Sequence, residues 1–168
     1  MPDTGHHPWT GNGTAVAARM SQFIGNSTNR IDSKGRVSVP ASFRPALRKS
    51  DTAPADFILR PSELHPCIEA WPKAVIEAMA QPPAEIDPFD EEAADRALLW
   101  YGTAVEPSMD REGRISLPPH LATMAGISDE VMFIGAGRSF QIWAPAAGAA
   151  RLAEVTARRR ARSQATAT

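Results

Sequence analysis

The sequence predicts an α+β protein, mainly β with short helices, built from two tandem copies of one small hairpin unit joined by two helices. Residues 31–40 read Ile-Asp-Ser-Lys-Gly-Arg-Val-Ser-Val-Pro and residues 109–118 read Met-Asp-Arg-Glu-Gly-Arg-Ile-Ser-Leu-Pro, keeping Asp, Gly, Arg, an aliphatic residue, Ser and Pro in order. Downstream, Phe57-Ile-Leu and then Ile68-Glu-Ala-Trp71 are echoed by Val131-Met-Phe-Ile and then Phe140-Gln-Ile-Trp143. A repeated unit constrains the architecture before any single element is assigned. Between the copies lie two stretches with apolar residues at helical spacing.

Along the chain, residues 1–19 are rich in Gly, Pro and Thr without periodicity, which predicts a disordered extension and makes Met20 an alternative start. His6 and His7 have no third ligand near them in sequence and are read as solvated. Val37-Ser38-Val39 and Ile115-Ser116-Leu117 alternate as half-buried strands with the serines outward. Pro40 and Pro118 stop those strands. Short helical turns are expected over 41–47 and 119–124, with Phe43, Leu47, Leu121 and Met124 packing inward and Pro45 shortening the first. Hairpins follow over 57–60 with 67–71, and over 130–134 with 139–143.

The linker is expected to hold two helices separated at Pro82-Pro83 and Pro88. Val75, Ile76 and Met79 form one face of the first. Asp90 can cap the second, and Ala94, Ala97, Leu98 and Tyr101 follow helical spacing until Gly102. The organisation expected is an extension over 1–19, a first unit over 20–75, a helical linker over 76–102, a second unit over 103–147 and a basic tail over 148–168.

The chain has 168 residues, 43% of them hydrophobic, enough for one fair core or two small ones that lean on each other. Its formal net charge is -1, so a polyanionic partner must be argued from where the charges lie. The single cysteine, Cys67, excludes an internal disulfide and is read as a buried, inert thiol. No apolar run approaches the ~20 residues that span a bilayer, so a cytoplasmic protein with no membrane partner is expected. No spacing of ligand-type residues asks for a metal or cofactor.

In each Asp-x-x-Gly-Arg turn, Gly35 or Gly113 can take positive φ, and Asp32 or Asp110 can accept backbone N–H bonds. Arg36 and Arg114 can simply pair with those carboxylates, or project toward a ligand. From Met20 to Ser50 six basic residues (Arg30, Lys34, Arg36, Arg44, Arg48, Lys49) face one acidic (Asp32), a net of +5; from Thr103 to Pro145 three basic face five acidic, a net of -2. Copy one is therefore the electropositive half. Its turn can approach phosphates closely, and arginine can grip a guanine edge bidentately. Glu112 replaces Lys34 in copy two.

From Phe23 to about Trp143 the chain resembles the MraZ family of bacterial transcriptional regulators, whose halves resemble the swapped-hairpin fold of AbrB and SpoVT. The matching residues include Phe23-Ile-Gly, Asp32-Ser-Lys-Gly-Arg-Val-Ser-Val-Pro-Ala-Ser-Phe-Arg, Asp95-Arg-Ala-Leu-Leu, Glu106, and Val131-Met-Phe-Ile-Gly through Phe140-Gln-Ile-Trp. The resemblance implies an intrachain pseudo-dimer and an octameric or dodecameric homo-oligomeric ring. It further implies nucleoid association and repression of the cell-division and cell-wall gene cluster through promoter direct repeats in double-stranded DNA. The family's DNA-contacting arginine falls on Arg36, beside Lys34 and Gly35, with Arg30 and Arg44 adding charge and Arg114 contributing more weakly. Glu112 and Pro45 depart from the family pattern. The basic run Arg158 to Arg162 lies beyond it and reads as a solvated helix end or a source of phosphate contacts.

Two other classes compete. An AbrB-fold antitoxin-like module would bind a protein partner, but requires one hairpin unit plus a toxin-binding tail. An enzyme would have to draw on Glu106, Asp110 and His120, which show no nucleophile–base or metal-ligand spacing.

Overall fold

The computed structural model describes residues 23–48, 50, 52–79 and 89–166. The expected N-terminal extension, the Met20 start, His6 and His7, Lys49 and the proline break at 82–88 lie outside the described residues.

Among the described residues seven strands form: β1 Asn26–Arg30, β2 Arg36–Ser38, β3 Phe57–Pro61, β4 Ile68–Pro72, β5 Arg114–Ser116, β6 Glu130–Gly135 and β7 Phe140–Trp143. Four α-helices accompany them: α1 Lys73–Met79, α2 Glu91–Ala97, α3 Pro119–Met124 and α4 Pro145–Thr166. A 3-10 turn covers Arg44–Leu47 and a π turn, Leu98–Gly102, prolongs α2. The α+β class holds. The sheets carry the core, and the one long helix among the described residues, the 22-residue α4, takes up most of the segment read as a basic tail.

Strands from the two halves interleave. The five-stranded sheet runs β1-β6-β7-β4-β3, and β2 pairs β5 in a separate two-stranded ribbon, all antiparallel. β1 lies along β6 from Asn26 opposite Ile134 to Arg30 opposite Glu130. At the other edge Leu59 and Val105 exchange both backbone bonds at 2.8 Å, so the copy-two counterpart of β1 touches β3 at one bridge only. Strands equivalent in the repeat thus occupy mirrored places in the sheet. The closing tryptophans repeat as well: Trp71 Nε1 donates to Glu69 at 3.1 Å and Trp143 Nε1 to Gln141 at 2.9 Å.

Interleaving produces one principal core rather than two. Val37, Val39, Phe43, Leu47 and Phe57 pack with Ile115, Leu117, Leu121, Phe133 and Phe140 from the other half. Phe140 is the hub, with the rings of Phe23, Phe43, Phe133 and Phe57 centred 5.1, 5.2, 5.9 and 6.5 Å away. Gly135 lets the Phe23 backbone pass, since a Cβ there would sit 2.2 Å from the Phe23 carbonyl oxygen. A smaller cluster of Cys67, Met132, Ile134 and Trp143 lies under Ala147 and Leu152 of α4, with Gly148 giving the close approach.

Several expectations need correction. Met124, expected inside, is exposed, because α3 is a single short helix whose inward side is taken by Leu121 and Ala125. Val75 and Met79 do not join Ile76 in the interior. Asp90 caps α2 as expected, accepting from the N–H groups of Glu92 and Ala93. The face of Ala94, Ala97, Leu98 and Tyr101, however, is open to solvent, with Leu98 68% and Tyr101 59% exposed. What docks the linker is Trp100. Its ring lies 3.9 Å from the guanidinium carbon of Arg60 and 6.3 Å from Trp71. Arg60 itself is buried, held by Glu63 at 3.1 Å and Glu69 at 3.6 Å.

Candidate functional site

Each turn is built by its aspartate. Asp32 Oδ1 accepts the N–H groups of Lys34 and Arg36, both at 2.9 Å, while Oδ2 accepts Arg36 Nε at 2.9 Å. Asp110 repeats the pattern with Glu112 N at 3.0 Å, Arg114 N at 2.9 Å and Arg114 Nε at 2.8 Å. Glycine is needed at both apices, where φ is +75° at Gly35 and +78° at Gly113. The backbone N–H of Arg36 chiefly holds the Asp32 carboxyl below the usual carboxylate range, and that of Arg114 does the same for Asp110. The hydrogen bond that Arg114 donates to Asp110 in turn pushes the Arg114 guanidinium further up.

The β2–β5 ribbon locks the turns together. Arg36 opposes Ser116 and Arg114 opposes Ser38, so the two turns lie at opposite ends of a three-residue ribbon. Leu117 N donates to the Gly35 carbonyl at 3.0 Å, and Val39 N to the Gly113 carbonyl at 2.9 Å. Val37 and Ile115 face the core. By alternation Arg36, Ser38, Arg114 and Ser116 share the outer face.

The two arginines differ in what remains free. Arg36 engages Asp32 through Nε, and its terminal nitrogens have no partner among the described residues. Arg114 spends Nη2 on Glu112 at 3.0 Å as well as Nε on Asp110. Substituting Glu for Lys at one turn position therefore removes a cation and also occupies the neighbouring arginine.

The remaining candidates are distributed in a way that segment-wise charge counting misses. Arg30 is exposed at the end of β1 and faces Glu130 across the sheet at 3.5 Å. Arg44 belongs to copy one in sequence but lies on the turn of copy two. Its Nε donates to the Val39 carbonyl at 2.9 Å, and a Cβ on Gly113 would fall 2.1 Å from that nitrogen. Arg44 covers Gly113, which is buried, whereas Gly35 is only partly so and has nothing near its Cα. A cleft beside Gly113 is lined by Ala41, Arg44, Pro45, Arg48 and Arg111. No periodicity could have signalled this crossing, because it depends on how the halves interleave.

The residues weighed for catalysis do not converge on one another. Glu106 pairs with Lys73 at 2.9 Å, Asp110 organises its turn, and His120 is exposed on α3. Among the described residues no group of three or more metal-type side chains gathers. No helix among them is long and apolar enough to cross a membrane.

Comparison with known proteins assigns the chain to a family. A family model described as "MraZ protein, putative antitoxin-like" matches residues 100–167. A protein of Gluconobacter oxydans is 52% identical over 149 residues, covering 88% of this chain and 89% of its own. One from Gluconacetobacter diazotrophicus is 51% identical over 142 residues, covering 84% and 90%, and one from Rickettsia bellii is 44% identical over 126 residues, covering 75% and 81%. All three are named transcriptional regulator MraZ. The chain belongs to the MraZ family.

Proposed function

We propose that this chain is a sequence-specific DNA-binding regulator, acting mainly as a repressor of the cell-division and cell-wall gene cluster in the cytoplasm, on the nucleoid. It binds promoter direct repeats as a ring-shaped homo-oligomer, octameric or dodecameric, and its two halves form an AbrB/SpoVT-like swapped-hairpin pseudo-dimer. The observation that carries the reading is the outer face of the β2–β5 ribbon, where Arg36 keeps its terminal nitrogens free next to exposed Lys34. A planar guanidinium pinned at Nε is suited to bidentate contact with a guanine edge, and Lys34 to a phosphate beside it.

The exchange of β1 with β6 and of β2 with β5 supports the pseudo-dimer. Exposed Leu98, Leu99 and Tyr101, with Met79, offer an apolar surface for a second copy. In a ring each further turn binds intramolecularly, and avidity exceeds that of one contact by roughly 10²–10⁴. The test is a gel shift on the DNA upstream of the chain's own gene, with repeats removed one at a time. Affinity should fall stepwise with repeat number. Affinity independent of repeat number would defeat the multivalent reading. The family model's description favours a second reading, an antitoxin-like module, which requires stable co-purification with a protein partner.

A further inference from the structure

The geometry points to a backbone-phosphate seat at the turn of copy two, formed by Arg44 and Arg48 from copy one with Arg111 from copy two. The proposal rests on the DNA-binding reading and adds a division of labour. The turn of copy one addresses bases, and the seat grips a phosphodiester of the same duplex without regard to sequence.

Three arginines line one cleft whose lining contains no carboxylate residue. The two acids of the neighbouring turn are already engaged, Asp110 by Arg114 and backbone N–H groups, and Glu112 by Arg114 Nη2. Arg44 is preorganised, tied at Nε to the Val39 carbonyl and laid across the bare Cα of Gly113. Arg48 Nε is buried with no hydrogen-bond partner. Such an orphan donor is unfavourable, and so is crowding like charges without an anion. A phosphate in the cleft offsets the crowded charge with charge-assisted hydrogen bonds to the arginines that line it. The repeat places Ser33, Ala122 and Gly126 where the seat has Arg111, Arg44 and Arg48, so the turn of copy one has no such seat.

The measurement is the affinity of the full chain for its promoter DNA and for an unrelated duplex of equal length, across a range of salt, with Arg111→Ala, Arg111→Lys, Arg48→Gln and Arg36→Ala beside the parent. Each seat variant should weaken both duplexes by the same factor, about fivefold at about 0.15 M salt, and lower the slope of log affinity against log salt by about 0.9 for each phosphate no longer neutralised. Arg111→Lys should restore slope and affinity. Because Arg111 is exposed, its substitution leaves the fold intact, and an unchanged melting temperature verifies that. If Arg111→Ala and Arg48→Gln leave slope and both affinities unchanged while Arg36→Ala still abolishes promoter binding, the seat is overturned and the DNA reading stands. If the parent binds promoter and unrelated DNA equally at every salt concentration, the functional reading fails instead. Protection of the melting temperature by inorganic phosphate at constant ionic strength, without any effect of the variants on DNA, would mean a free anion occupies the cleft and would overturn the duplex as its ligand.

Discussion

The turns around Gly35 and Gly113 share a backbone yet differ in nearly everything attached to it. Both are closed by an aspartate that collects two N–H groups and one arginine Nε, with distances agreeing within about 0.1 Å. Around Gly35 the arginine keeps free nitrogens and a lysine stands exposed. Around Gly113 a glutamate occupies the arginine, and positive charge is supplied by Arg44 and Arg48 from the other half. The comparison teaches that the Asp-x-x-Gly-Arg signature specifies a platform, while the residues around that platform specify what it contacts. It also revises the charge argument. Copy two is acidic as a segment but not as a place, because interleaving delivers copy-one arginines to it.

The largest expected effect tests that contrast directly. Arg36→Ala should abolish promoter binding, since a bidentate base contact is worth about 1–3 kcal/mol and disappears at every turn the DNA engages. Arg114→Ala, already neutralised by two carboxylates, should weaken binding less completely. Equal loss from both, with folding and assembly intact by calorimetry and light scattering, would remove the asymmetry.

A smaller difference should appear in stability. Gly35→Ala strains a left-handed backbone by about 1–2 kcal/mol, and Gly113→Ala should cost more because its methyl also displaces Arg44 from the Val39 carbonyl. Urea unfolding of both variants measures the gap, and equal midpoints would show that Arg44 moves aside freely.

The acid limb should treat the turns alike. Both carboxyls are held below their usual range by backbone N–H groups, so the stability they add is present above pH 3.8 and lost as pH falls through the depressed folded values. Asp32→Asn and Asp110→Asn should flatten that limb equally in acid titrations of stability. An unequal response would locate a difference in the platforms themselves.

The effect expected to touch DNA binding least lies at Cys67, remote from both turns, and serves as their control. Burial pushes its thiol from 9.0 to about 12. The unfolded thiol ionises first, so stability should fall from about pH 9 upward, by at most about 1.4 kcal/mol per pH unit. Cys67→Ala should remove that slope without touching DNA affinity. A slope unchanged by the substitution would assign the alkaline loss to other groups, such as Lys73, which Glu106 and Asp56 hold charged to higher pH.

Much of the fold is legible in sequence. Period-2 alternation announces β2 and β5, Pro45 announces the truncated turn after β2, and Asp90 announces the start of α2. Each of these signals is local, resting on neighbouring residues and their dihedral preferences. Pairing is not local. Nothing in Asn26–Arg30 specifies Glu130–Ile134 as its partner, and nothing in Arg44 specifies Gly113. Helical spacing in the linker correctly marks an apolar face, but spacing cannot say what covers it, and Trp100 does the docking instead. The expected DNA-contact residues follow from the turn and the resemblance. Arg48 and Arg111 escape that reasoning, because a count along the chain does not register a cleft assembled from two segments.

The covalent join between the halves has a consequence of its own. In an assembly of two identical subunits, any substitution at one turn appears at the other, so reader and anchor cannot be tuned separately. Here Arg44 and its repeat equivalent Ala122 are encoded independently, as are Lys34 and Glu112. A single polypeptide can thus give two copies of one scaffold different vocabularies, and one half can change its contacts while the other keeps its own.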